Sequence, residues 1–141
     1  MMKTLVIALG LFLTVFTGPS FAAKVCFQTG CISTEVVSTV EQMARGLSGH
    51  AKLRDNEGML FVFEQEVPHR FWMKGMEFAL DIIWLDSKGR VVFIAQDAKP
   101  CTPEACPVYS PAQDSKYVLE VNAGYAKSHH IAVGSTAEIF Q

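Results

Sequence analysis

The chain is poor in charge, and what charge it has is not gathered into blocks. Asp, Glu, Lys and Arg make up 18% of its 141 residues, and 12 basic side chains face 14 acidic ones for a net charge of −2. Binding to nucleic acid needs clustered cations, and nothing here suggests it. Beyond residue 22 no apolar run is long enough to cross a bilayer. No Gly-x-Ser-x-Gly elbow, phosphate loop or dinucleotide fingerprint occurs, and no spacing joins Ser, His and Asp into a triad. His129 and His130 are adjacent and diverge, while His50 and His69 lack a carboxylate at zinc-ligand spacing. Neither a cofactor nor a metal is expected. Repeats and low-complexity tracts are also missing.

What is present begins with a compartment signal. One lysine in "MMKT", the apolar run "LVIALGLFLTVFTG" and the small residues of "PSFAAK" have the layout of a secretory signal peptide. Ser20 and Ala22 favour cleavage between Ala22 and Ala23. Removing residues 1–22 leaves 119 residues, 23–141, enough for one globular domain. The expected location is periplasmic or secreted, with no membrane span after cleavage. All four cysteines fall in the remaining part, as "CFQTGC" (Cys26, Cys31) and "CTPEAC" (Cys101, Cys106). In an oxidising space disulfides are the default. Four cysteines allow three connectivities, and the equal spacing within each pair points to two local clips, 26–31 and 101–106. The spacing also allows a four-cysteine zinc site, but free thiolates are not expected outside the cytoplasm. A redox pair normally has two intervening residues where here there are four, Pro103 among them in the second pair.

Along the chain, "KVCFQTGC" and "ISTEVVS" read as two strands around a turn at Thr29 and Gly30. Ser38 and Glu41 stand at capping-box spacing before a short helix with Val40, Met43, Ala44 and Leu47 on one side. "MLFVFEQE" is strongly strand-forming, and "LDIIWLDSKGRVVFIAQ" is a hairpin about "DSKG" with Gly89 in the turn. Four of the six prolines lie in the long loop "DAKPCTPEACPVYSPAQDS". "KYVLEVN" is a further strand, Asn122 is placed to cap a short helix, and "IAVGSTAEIF" is extended about Gly134. Two short helices and about seven strands make a β-rich α+β domain, its sheet curled or barrel-like to hide its edges.

The motifs "GMLFVF", "FWMK", "LDIIWLD", "GRVV", a Cys/Pro/Tyr loop and "YVLEVNAG", in that order over residues 32–140, resemble the family called domain of unknown function 192. The resemblance implies a compact β-rich fold, often exported, and no established activity. The chain departs from the family pattern at Gly75 and Met76, where "FWMKNT" is usual, at "FALD", and at Gly134-Ser135 in place of a closing Gly-Asp.

The segment "PHRFWMKG" carries the leading candidate site. Strand alternation sends Phe71 and Met73 to one face and Arg70, Trp72 and Lys74 to the other. An indole between two cations suits a small anionic or carbohydrate ligand: the ring offers a flat apolar face and the cations hold an anion. The same stripe is explained without a ligand if Trp72 covers a second small core and the cations reach past it into water. Asp81 is placed to pair with Lys74 or Arg70, or to orient Lys74. Glu120 and Asn122 share a strand face, and Tyr109 rides on the clipped loop. The leading reading is a non-enzymatic binding or accessory domain using Arg70, Trp72, Lys74, Asp81, Tyr109 and Glu120. One alternative is an enzyme acting on an envelope glycan or metabolite with Asp81 and Glu120 as acid and base, which requires carboxyls roughly 5–10 Å apart. Another is a structural or protein-interaction module. The oligomeric state is not encoded in any of these features.

Overall fold

The computed structural model describes residues 23–141; the leader expected at 1–22 lies outside the described residues. Strands β1 (Ala23–Phe27) and β2 (Gly30–Val37) form the first hairpin, with Cys26 directly opposite Cys31 and the two joined by a disulfide. Helix α1 (Val40–Arg45) follows and carries the chain over to β3 (Glu57–Val67), which runs parallel to β2. The capping box forms one residue later than the expected Ser38/Glu41 frame. Thr39 is the N-cap and accepts from the Gln42 N–H, while the Gln42 side chain accepts from the Thr39 N–H. The run "STVEQ" offers the motif in two overlapping frames, and the second is the one used.

After β3 comes the two-residue β4 (Phe71–Trp72), then the hairpin of β5 (Leu80–Leu85) and β6 (Val91–Ala98). Its turn is fastened by Asp86 Oδ1, which accepts from the backbone N–H groups of Lys88 and Arg90 at 2.9 Å each. The proline-rich loop is not wholly irregular: it contains β7 (Val108–Tyr109), paired antiparallel with β4 in a ribbon of its own. Strand β8 (Ser115–Asn122), helix α2 (Tyr125–Ser128) and β9 (Glu138–Phe140) complete the chain. Asn122 does not cap α2, whose N-cap is Gly124; its side chain instead donates to the Leu53 carbonyl at 2.7 Å.

The main sheet has seven strands in the order β6-β5-β8-β3-β2-β1-β9. It is mixed, because β2 and β3 are parallel and the other pairs are antiparallel. It curls without closing into a barrel. Residues 134–137 hydrogen-bond to Gly89 and Val91 beside one edge strand, and the chain then runs into β9 at the opposite edge. The two edges are thus tied at a single place.

Every residue of β5 is buried, because the sheet is covered on both faces. One face packs Val25, Ile32, Leu60, Ile83, Leu119 and Val121 with α2. The other packs Met59, Phe61, Met73, Ile82, Trp84 and Val118 beneath α1 and the β4 segment. This second layer positions the candidate site. None of the α1 residues is itself buried, so the helix forms a wall over this face and leaves a gap beside it.

Candidate functional site

Phe71 anchors the β4 segment. Its ring meets Phe61 edge-on at 4.9 Å and Trp84 at 5.5 Å between centroids. The indole N–H of Trp84 donates to the His69 carbonyl at 3.0 Å, fixing the segment's entry. Met73 is buried in the same layer. With Phe71 and Met73 turned inward, the alternation leaves Arg70, Trp72 and Lys74 outward, and the indole is 55% exposed. The far side of the segment is braced by the proline-rich loop. β7 pairs with β4, and Lys74 forms a bridge with Cys101, which is disulfide-bonded to Cys106. The second clip therefore stiffens the loop that holds the stripe.

Arg70, Trp72 and Lys74 converge on a solvent-reachable cleft of about 260 Å³ between the β4 segment and the end of α1. Met43, Ala44 and Leu47 form the helix-side wall, Phe61 and Phe63 project from β3, and Met76 lies beyond Lys74. Arg45 adds a third cation. Among the described residues, Arg45, Arg70 and Lys74 make no ion pair; the two pairs present are Arg54 with Glu57 and Lys99 with Asp97.

Glu120 also lines this cleft, although it is only 5% exposed. Its Oε2 is buried with no hydrogen-bond partner. Burial pushes its carboxyl up to about 8, so at neutral pH the group is mostly protonated. Burial alone drives the shift, which sets Glu120 apart from the three exposed cations of the same cleft.

Two expected site residues lie elsewhere. Asp81 is 1% exposed and pairs with neither Lys74 nor Arg70; its Oδ1 accepts from the Asp97 N–H at 2.8 Å and its Oδ2 from the Ala126 N–H at 2.9 Å. It staples β6 and α2 to β5. In the β5–β8 register Asp81 stands opposite Val121 and Ile82 opposite Glu120. Directly opposed residues share a face, so Asp81 and Glu120 project from opposite sides of the sheet. They cannot act as acid and base on one bond, and the glycosidase-like arrangement is ruled out. Tyr109 stands opposite Phe71, packs against the same buried layer and does not line the cleft. Asn122 ties down the loop at Leu53, although its Oδ1 is buried without a partner.

The residues that reading the sequence missed are the apolar walls and Arg45. The alternation of Phe61 and Phe63 with Val62 signalled a shared face, but nothing local to β3 or α1 says that those faces meet. Among the described residues no three His, Cys, Asp or Glu side chains gather closely enough to hold a metal ion.

Gly75 closes the turn after the stripe with φ of +74°, a left-handed conformation, and its carbonyl accepts from Ser48 Oγ at 3.2 Å. Asparagine, usual here in the family pattern, is among the few other residues that tolerate this conformation, so the position shapes a turn. A Cβ at Gly75 would come within 2.6 Å of Ser48 Oγ, which is free to rotate only by giving up its bond. Gly75→Ala is expected to cost about 1–2 kcal/mol in urea melts, and Gly75→Asn, which meets the same Ser48 contact but tolerates the backbone conformation, somewhat less. Equal losses would show that backbone conformation is not what the position requires.

A comparison with the curated proteins finds no match. Among solved structures, the chain is similar to a protein of unknown function from Novosphingobium aromaticivorans DSM 12444, with 30% identity, 82% of each chain covered and a TM-score of 0.74. It is also similar to a putative transcription regulator from Sinorhizobium meliloti 1021, with 26% identity over 82% of this chain and 90% of that one, again at a TM-score of 0.74. The model of the DUF192 family, described as "Uncharacterized ACR", matches residues 23–139, nearly the whole described sheet and its covering layers, and the chain belongs to that family.

Proposed function

We propose that the protein is an exported, non-enzymatic binding or accessory module that holds a small anionic or sugar-like ligand in the cleft beside β4. The carrying observation is that Arg70, Trp72 and Lys74, which come from a single segment, open onto one hollow that also contains the unpartnered Glu120 carboxyl. Cations without partners attract an anion, an exposed indole stacks on a ring, and a buried carboxyl lacking a hydrogen bond gains one from a ligand. Export is supported by the two disulfides, which persist in oxidising compartments. A protein contact would be favoured by an apolar patch around Trp72 with no adjoining hollow; here the indole lines the cleft.

The test is a thermal-shift screen of sugars, sugar acids, small organic acids and phosphates. A ligand well above its Kd should raise the melting temperature by several degrees, and Trp72→Ala and Lys74→Ala should each remove most of the rise. A screen in which no compound gives a shift dependent on those side chains would sink the proposal.

A further inference from the structure

The cleft is uneven in its chemistry, and the unevenness sorts ligands. Most of its lining is carbon: Met43, Leu47, Phe61, Phe63, Phe71 and Met76. Its fixed positive charge belongs to Arg45, Arg70 and Lys74, all of them exposed and, among the described residues, without an ion-pair partner. Glu120 is the one buried polar side chain in the lining, and its Oε2 has nothing to bond. A sugar ring carries hydroxyls around its whole edge. Seating one here would strip water from most of those hydroxyls and set them against methionine and phenylalanine, with a single carboxyl to compensate. A flat hydrocarbon ring meets no such obstacle, and the aromatic walls favour it. The volume, about 260 Å³, lies just under the roughly 300–1,000 Å³ of drug-sized pockets, which leaves room for one ring and a short arm.

Resting on the small-ligand reading above, we infer that the cleft takes a single-ring aromatic carboxylate bearing a ring hydroxyl. The ring lies among the apolar walls with Trp72 beside it, the carboxylate is held by the exposed cations, and the hydroxyl meets Glu120. A phenolic hydroxyl both donates and accepts, so it satisfies the Glu120 carboxyl whether that group is protonated or ionised. This narrows the ligand from anions and sugars in general to an amphipathic organic acid.

Titration calorimetry with the purified protein separates the possibilities, using 3-(4-hydroxyphenyl)propanoate, its neutral amide, 3-phenylpropanoate, glucuronate and glucose 6-phosphate. The hydroxyaryl acid is expected to bind, the amide at least about tenfold more weakly, and the acid lacking the hydroxyl several-fold more weakly. Neither sugar derivative should match the aryl acid. In the Arg70→Ala/Lys74→Ala double variant the preference for acid over amide should largely vanish while amide binding persists, a pattern that general loss of structure would not produce. Both substituted residues are exposed, so the fold should tolerate the change. Equal affinity for acid and amide in the unaltered protein overturns the inference, and equal affinity with and without the hydroxyl removes Glu120 from the contact. Tighter binding of glucuronate or glucose 6-phosphate overturns the aromatic assignment and leaves the small-ligand reading standing. If none of these probes binds, the aryl-acid assignment is overturned, while the small-ligand reading falls only if the wider thermal-shift screen is also blank.

Discussion

Replacing Glu120 by glutamine is expected to flatten the fall in stability that this protein should show between about pH 4.5 and pH 8. The carboxyl titrates near 4.5 in a solvated chain and is raised to about 8 in the folded protein by burial. Across that window the folded state holds a proton that the unfolded state has released, so each added pH unit favours unfolding. Below about 4.5 both states are protonated and the group is neutral in its effect. Above about 8 both are ionised, and the full cost of burying the charge is present. The slope from one group is at most about 1.4 kcal/mol per pH unit, and the interval is wide enough for an accumulated effect on the order of several kcal/mol. Glutamine keeps the shape and cannot ionise. Its stability relative to the unaltered protein should therefore rise from about pH 5 to about pH 8 and level off above that, read as urea midpoints that diverge across the window with unchanged slopes. Midpoints that stay parallel across the range would mean that the carboxyl is hydrated or paired in solution, and the cleft would lose its one buried polar group.

The same experiment bears on binding. A phenol that hydrogen-bonds the carboxyl without bringing a cation serves either protonation state and moves the titration little. An ammonium in the cleft would favour the ionised form and pull the titration down. The pH dependence of the midpoint, recorded with and without an aryl acid, thus distinguishes a phenol from an amine at that position.

How much of this was legible in the sequence depends on the range of the interactions involved. The outward set of Arg70, Trp72 and Lys74 followed from the two-residue period of a strand, a property of five consecutive residues. The Asp86–Gly89 turn and the two short disulfide loops are equally local, and they formed as the spacing implied. The faces of Asp81 and Glu120 were a different kind of question. Each residue's own strand says which neighbours share its side, but only the register of β5 on β8, set between segments far apart in the chain, says that the two carboxyls oppose each other. Tyr109 was misplaced for the same reason, since its pairing with Phe71 across a proline-rich loop has no local signature. The cleft walls are supplied by α1, β3 and the segment after β4, and no sequence period spans all three. Even the helix cap slipped by one residue, because Ser38 with Glu41 and Thr39 with Gln42 satisfy the same spacing and only the backbone geometry chooses.

Asp81 shows what the family's "LD" aspartate does in this chain, and it supports the second large prediction. Its two oxygens satisfy two backbone donors that belong to different elements: the Asp97 N–H in β6 and the Ala126 N–H in α2. Asp97 sits at a φ of +52°, a left-handed conformation that a non-glycine residue holds only when its surroundings fix it, and the bond from its N–H to Asp81 is one such constraint. Truncating Asp81 to alanine strands the buried Ala126 donor and removes the partner of the part-buried Asp97 donor, and a buried unsatisfied group costs roughly 1–3 kcal/mol. A loss on the order of 2–5 kcal/mol is expected, large against the roughly 5–15 kcal/mol that keeps a typical domain folded. Asparagine is a sharper probe. It retains one acceptor oxygen but turns an amide N–H₂ towards the other donor, so it should rescue no more than one of the two bonds and fall between aspartate and alanine. Hydrogen exchange would show where the loss falls. The Asp97 and Ala126 amides should lose protection in Asp81→Ala, while the Phe71–Tyr109 pairing of the cleft ribbon stays protected. If asparagine proved as stable as aspartate, or if the cleft ribbon loosened while Ala126 stayed protected, Asp81 would have a role at the cleft that its placement among backbone donors argues against.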